Sequence, residues 1–457
     1  MRALAFACIA ASLAGCARVA APVPAPPAPV AGAEPPAAAD PELAPQRIAF
    51  AHALPAFLDP ERRARLEAAF PAIDAYLQQT VARDDLVGLA AGIVIDGELA
   101  WFRGYGHRDS ERGLPVERDT VFGIGSITKT FTALAALRLR DEGRLDLDRP
   151  ASTYFPALDG LVYPTADSPR LSIRHILTHT AGLPRSGDFG EDQGHPPLRA
   201  EILASLDGVV LDHPPGQRHV YSNLGFQLLG LLVGEVTGVG HRAYIRDALL
   251  APLGMNHTLW VPEDVPGDRI ARPYKRESDQ WQVRPHWRFG DADASGALFS
   301  SVEDLARFAA FNLAAWPARD EPEAGPLRRA TLREAHTLGS FVSFRAESVR
   351  DAPARGRHEG IGLGFVIQGN CRHDHIVMHS GKTPTYRASL HMLPNHGVAV
   401  ILLTNVGAVD GLALPGDGLA VLDLLADTGA LEPRAPAPAD ARPGAGARAR
   451  VLVRTSW

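Results

Sequence analysis

Ser126 and Lys129 stand three positions apart in Gly125-Ser-Ile-Thr-Lys129. On a helix that spacing brings a hydroxyl and an amine onto one face, within hydrogen-bond reach. A serine hydroxyl is a weak nucleophile until a neighbouring base takes its proton. A lysine rooted in a buried helix face suits that task, because desolvation disfavours the ammonium form and lowers its pKa. The free N–H groups of a helix start near Ser126 would also hold an oxyanion. The following residues fit such a helix: Ile127, Phe131, Leu134 and Leu137 are spaced for a buried face, and Gly143 supplies a stop. The pair reads as acyl transfer through a serine.

Two later groups supply what such a serine needs. Tyr221-Ser-Asn223 follows Pro214-Pro-Gly216 and opens a helix predicted over 224–236. A tyrosine near Lys129 would shuttle the proton between Ser126 and the leaving group. Asn223 would hold Lys129 or hydrogen-bond a substrate carbonyl. His379-Ser-Gly381 ends a predicted strand, which would line the substrate edge-on, and Gly381 permits close backbone approach. The Lys382 N–H is then the second oxyanion donor.

The elements that must position these groups follow from periodicity. A helical pattern runs over 60–83 (Leu66, Phe70, Ile73, Tyr76, Leu77), and apolar strands over 89–95 and 99–105 flank the hairpin signal Asp96-Gly97. Residues 130–310 read mainly as helices and loops, with one helix capped by Ser172, one following Ser222 and one over 302–313. Stretches 185–199 and 320–358 read as loops. Strand character returns at 360–368, 376–379, 388–393 and 398–403, and a last helix is predicted over 419–426. The fold class is α/β (α+β): one sheet assembled from both ends of the chain, about 46–125 and 355–430, with a helical part inserted over about 126–354. The site is expected in the crevice between them.

The ends differ in composition from this domain of 46–430. Arg2, an apolar stretch over 3–13 and Leu13-Ala-Gly-Cys16 form an export signal over 1–16, too short to span a bilayer as a mature helix. Its ending resembles a bacterial lipoprotein signal, which implies lipidation of Cys16 and a lipid-anchored, periplasm-facing protein of the cell envelope, sorted to the outer membrane by Ala17. Cys371 would then be left without a disulfide in the mature domain. Residues 17–45, rich in Ala and Pro, cannot bury a core and read as a tether reaching on the order of 90 Å. The tail over 431–457 reads as disordered. A net charge of −6 without a basic block in the domain argues against nucleic acid as a partner. No internal repeat and no second membrane-length segment are present.

With its three motifs in order, the chain resembles the class C β-lactamase-like serine hydrolases, a group that also holds D-alanyl-D-alanine carboxypeptidases and esterases. The motifs are Ser-x-x-Lys, Tyr-x-Asn and Lys-Thr-Gly or His-x-Gly. Phe122-Gly-Ile-Gly125, Ile173-Arg-His-Ile-Leu-Thr-His-Thr-Ala-Gly-Leu-Pro184 and Gly296-Ala-Leu-Phe-Ser-Ser-Val-Glu-Asp-Leu-Ala-Arg-Phe308 resemble the group's connecting segments. The resemblance covers roughly residues 60–428. It implies a β-lactamase/transpeptidase-like fold, acylation of Ser126, shared base and acid roles for Lys129 and Tyr221, an oxyanion hole from the Ser126 and Lys382 amides, and no cofactor. His379 departs from the lysine usual in penicillin-hydrolysing members. A lysine there carries a permanent charge for a substrate carboxylate, whereas a histidine is mostly neutral at pH 7. Peptides, amides and esters are therefore expected ahead of β-lactams.

Other patterns carry less. Gly381-Lys-Thr383 imitates the end of a phosphate loop, but Ile376 stands where the first glycine belongs, so no nucleotide is expected. Asp291-Ala-Asp-Ala-Ser-Gly296 imitates a calcium loop, but Val302 stands where the closing glutamate belongs. His373-Asp-His375 reads as a turn before a strand rather than a metal site. His175 and His179 read as supports of the site. No Gly-x-Ser-x-Gly elbow is present, against an α/β-hydrolase. The second function class is an envelope lipoprotein that binds peptidoglycan-type ligands or regulates with little turnover. The intact Ser126, Lys129 and Tyr221 count against it.

Overall fold

The computed structural model describes residues 57, 59–187, 195–347, 355–407 and 414–431. The Cys16 signal, the 17–45 tether and the tail beyond Leu431 lie outside the described residues.

Nine strands form one antiparallel sheet: β1 (Gly88–Ile95), β2 (Glu98–Asp109), β3 (Leu114–Pro115), β4 (Ser340–Glu347), β5 (Arg355–Ile361), β6 (Val366–Asn370), β7 (Ile376–Lys382), β8 (Arg387–Leu393) and β9 (Val398–Thr404). Their order is β3-β2-β1-β9-β8-β7-β6-β5-β4. An early and a late strand therefore meet inside the sheet, where β1 pairs with β9 from Leu89 opposite Thr404 to Ile95 opposite Val398. Both strands are buried along their whole length because the sheet is covered on both faces. Val398, Val400 and Leu402 enter one core, while Ala399, Ile401 and Leu403 enter the other, as the period of two requires.

Five helices of twelve residues or more are present among the described residues: α1 (Phe70–Arg83), α2 (Thr128–Asp141), α3 (Asn223–Thr237), α4 (Val302–Leu313) and α5 (Leu414–Asp427). Ile73 and Leu77 of α1 and Leu422 and Leu425 of α5 pack on one face of the sheet. Leu305 of α4 packs on the other, in a core that it shares with Phe131 and Leu134 of α2 and Leu229 of α3. Phe131 stacks on Phe308 with ring centroids 4.2 Å apart, which ties the serine–lysine helix to α4.

Local chemistry explains several boundaries. Asp96 and Gly97 take φ of 52° and 82°, the left-handed pair that a two-residue type I′ hairpin demands. Ser172 and Ser222 cap their helices, their hydroxyls accepting from the N–H groups of His175 and Gly225. The helix predicted over 302–313 has those bounds. The pattern over 60–83 instead forms two helices, Arg62–Glu67 and α1, broken where Pro71 enters the first turn of the second. The strand predicted over 360–368 divides between β5 and β6 at a turn, where Gly364 has φ 83°. The stretch expected as loop over 320–358 contains edge strand β4, and a small hairpin, Tyr274–Glu277 with Gln280–Val283, interrupts the helical middle. Cys371, expected without a disulfide, is disulfide-bonded.

Candidate active site

Ser126 sits in a 3-10 turn, Gly125–Ile127, that leads directly into α2. The turn requires glycine at 125: φ is 51°, and a Cβ there would lie 2.7 Å from the Lys382 backbone nitrogen. The end of β7 presses equally close, since a Cβ on Gly381 would lie 1.8 Å from the Ile124 carbonyl oxygen. Two glycines thus let a strand edge and the serine turn touch backbone to backbone. The contact brings Gly381 and the Lys382 amide beside the serine turn, the arrangement an oxyanion hole needs. The Lys382 side chain is exposed, while His379, on the alternate face of β7, is buried at 5 % exposure.

Lys129, one turn into α2, is fully buried. Its Nζ donates to Ser126 Oγ at 3.1 Å and to the Ser295 carbonyl oxygen at 2.5 Å. It forms no ion pair among the described residues, so burial lowers its pKa below that of an ordinary lysine; the Tyr221 phenol opposes the shift and Arg185 adds to it. The Tyr221 ring centroid lies 5.0 Å from Nζ. Serine, lysine and tyrosine therefore converge from one turn, one helix and one helix start separated by some ninety residues of chain.

Asn223 is the first residue of α3, and its N–H donates to the Arg185 carbonyl at 2.7 Å. Its side chain makes no hydrogen bond to Lys129; the Ser295 carbonyl holds the amine instead. That contact was not foreseen, although the segment beginning at Gly296 carried a family likeness one residue away. Ser295 ends a run of 3-10 turns over Gly290–Ser295. Asp293 there pairs with His241 at 2.8 Å and with Arg242, which gives the acidic run a structural occupation. His373 likewise pairs with Asp423 at 2.9 Å in the turn before β7.

His179 supports the site without touching the serine. Its ring stacks on Tyr221 with centroids 4.3 Å apart, and its Nδ1 accepts the Ser222 N–H at 3.2 Å, so Nε2 carries the proton in the neutral ring. Burial, then Lys129, hold its pKa well below the usual histidine value. His175 belongs to the Ser172 capping box. His379 Nδ1 lies 2.8 Å from the Ser380 carbonyl oxygen, and burial followed by Lys129 brings its pKa down to about 4. At neutral pH it is an uncharged ring.

This geometry meets a direct match at the level of family. The sequence model described as Beta-lactamase matches residues 73–421. The chain belongs to that family. Among curated family relatives, Protein flp of Staphylococcus aureus (strain MRSA252) is 25% identical over 338 residues, covering 74% of this chain and 63% of the relative. Beta-lactamase-like protein 2 of Dictyostelium discoideum is 30% identical over 286 residues, covering 61% and 50%. The chain thus spans less than two thirds of the length of these relatives. Among solved structures, the octameric penicillin-binding protein homologue from Pyrococcus abyssi aligns with a TM-score of 0.66 at 27% identity, covering 78% of this chain and 77% of that one. The β-lactamase/D-alanine carboxypeptidase from Pseudomonas syringae aligns with a TM-score of 0.60 at 19% identity, covering 79% and 99%; at that identity the likeness is one of fold. The fold is β-lactamase/transpeptidase-like, a large antiparallel sheet with helices.

Proposed function

We propose that this chain is a serine hydrolase that forms an acyl-enzyme on Ser126 and acts on an amide, peptide or ester in the cell envelope. One observation carries the reading: a fully buried lysine amine with no ion pair among the described residues, 3.1 Å from a serine hydroxyl. Desolvation favours the neutral amine, and a neutral amine beside a hydroxyl is a base aimed at its proton.

In this reading Ser126 Oγ attacks the substrate carbonyl carbon as its proton passes to Lys129. The developing oxyanion is held by the Ser126 and Lys382 amides. Tyr221, beside the amine, returns a proton to the leaving group as the scissile bond breaks. Water then attacks the ester on Ser126 by the same route in reverse order and frees the acid. The carboxypeptidase named among the structural neighbours makes D-amino-acid peptides the first substrates to try, with esters next and β-lactams after them. Lipidation of Cys16 would keep the domain at the envelope.

The test is labelling by a fluorophosphonate probe, which reacts with activated serines. Wild type is expected to label and Ser126→Ala to stay unlabelled. Equal labelling of both, or none of wild type, would sink the serine reading.

A further inference from the structure

The short helix Ile173–Leu177 closes with the His179 N–H donating to the Ile176 carbonyl at 3.1 Å and the Thr180 N–H donating to the His175 carbonyl at 2.8 Å. That pair of hydrogen bonds needs a left-handed residue just past the helix end, a place that glycine usually fills. Here it is His179, with φ at 54°, and the left-handed region strains a residue that carries a side chain. Glycine would make the same turn without strain, so the turn gives no reason for an imidazole. A buried residue held in a strained conformation beside a reacting group points to a role in the chemistry.

The contacts of His179 all bear on Tyr221. Its carbonyl accepts the Val220 N–H at 2.8 Å and its Nδ1 accepts the Ser222 N–H at 3.2 Å. Between those two bonds the imidazole stacks on the tyrosine ring, centroids 4.3 Å apart and planes 30° apart. The Phe226 ring lies 5.0 Å from the imidazole, and His179 is 2 % exposed, so packing holds the ring in one place. The Lys129 amine and the Arg185 guanidinium carbon lie 5.0 and 5.2 Å from the Tyr221 ring centroid. The amine is a point charge and the Arg185 side chain is exposed. Of these three neighbours the imidazole is the rigid, flat one.

We infer that His179 is a positioning residue whose stacked ring and two backbone contacts aim the Tyr221 phenol at the leaving group. The inference rests on the serine-hydrolase reading and adds the residue that makes its proton return efficient. As the scissile C–O bond of an ester breaks, the electron pair goes to the leaving oxygen and the phenol proton follows it. The tyrosinate recovers a proton from the Lys129 ammonium, which was formed when Ser126 lost its own. An alkoxide needs that proton, whereas a nitrophenolate is stable enough to leave without it. A misaimed phenol therefore slows poor leaving groups and spares good ones.

The experiment measures kcat/KM for two esters of one acid, p-nitrophenyl butyrate and ethyl butyrate, in wild type, His179→Asn, His179→Gly, Tyr221→Phe and the double variant of His179→Asn with Tyr221→Phe. Asparagine tolerates the left-handed backbone and keeps an acceptor for the Ser222 N–H, and glycine removes the strain, so both leave the turn able to form. Each His179 variant is expected to lose about 10- to 100-fold more on the ethyl ester than on the nitrophenyl ester, the scale of a misplaced general acid. Tyr221→Phe should show the same selective loss, and adding His179→Asn to it should deepen that loss no further. Equal loss on both esters in the His179 variants marks a merely structural residue and overturns the inference, as do unchanged rates or a selective loss that adds to that of Tyr221→Phe. Wild type no faster than Tyr221→Phe on ethyl butyrate, with Ser126 still labelled by the fluorophosphonate, also overturns it and leaves the serine reading standing; absence of labelling fells the serine reading itself.

Discussion

At the residue scale the proposed acylation of Ser126 depends on the charge state of one amine. Lys129 must be neutral to accept the Ser126 proton, and burial holds its pKa below the ordinary lysine value. The neutral fraction grows as pH rises through that lowered pKa, so kcat/KM on a neutral ester should rise with pH and level off above it. Arg185 helps depress the Lys129 pKa. Replacing it with glutamine removes a positive neighbour, raises the Lys129 pKa and should move the rising limb to higher pH. A limb that stays in place in Arg185→Gln would separate the guanidinium from the amine electrostatically; a limb absent from wild type would assign the base elsewhere. His379 does not complicate the profile near neutrality, because its pKa of about 4 keeps it uncharged there.

At the element scale the site depends on the tight approach between β7 and the serine turn. An alanine Cβ at 381 would sit 1.8 Å from the Ile124 carbonyl oxygen, far inside contact distance, and neither the Cβ, fixed to its Cα, nor the backbone oxygen can swing away by a rotamer change. Gly381→Ala must therefore push β7 from the turn, and the Lys382 amide moves with it. Loss of one oxyanion donor costs about 10²–10³ in kcat, and that loss is expected here with KM changing less. A melting curve run beside the kinetics separates a displaced donor from a lost fold; an unchanged kcat would remove the Lys382 amide from the oxyanion hole. Elements bound by local chemistry were legible beforehand: the Asp96-Gly97 hairpin, the Ser172 and Ser222 caps and the 302–313 helix each depend on residues within a few positions. Edge strand β4 was not, because Ser340 to Glu347 has one neighbour in the sheet and leaves Phe341 and Phe344 outside at 59 % and 52 % exposure, without the alternation that marks a buried strand.

At the scale of the whole molecule, early and late strands build one sheet, and the inserted helices bring the tyrosine to the serine–lysine pair. Where that domain resides is a proposal about Cys16. If Cys16 is lipidated, wild type should fractionate with membranes and Cys16→Ser with the soluble fraction; equal partition of both forms would remove the anchor. By itself the sequence singled out Ser126, Lys129 and Tyr221 as candidate reacting groups and determined the turns and caps and the sheet built from early and late strands, since residue type, helical spacing and period-two alternation are properties of short segments. Only the tertiary structure decided that the amine is held by the Ser295 carbonyl rather than by Asn223, that Gly125 and Gly381 meet backbone to backbone, and that Arg185 stands over Tyr221. Those contacts join residues far apart in the chain, and no local pattern encodes which distant backbone atom will fill the space beside a buried side chain.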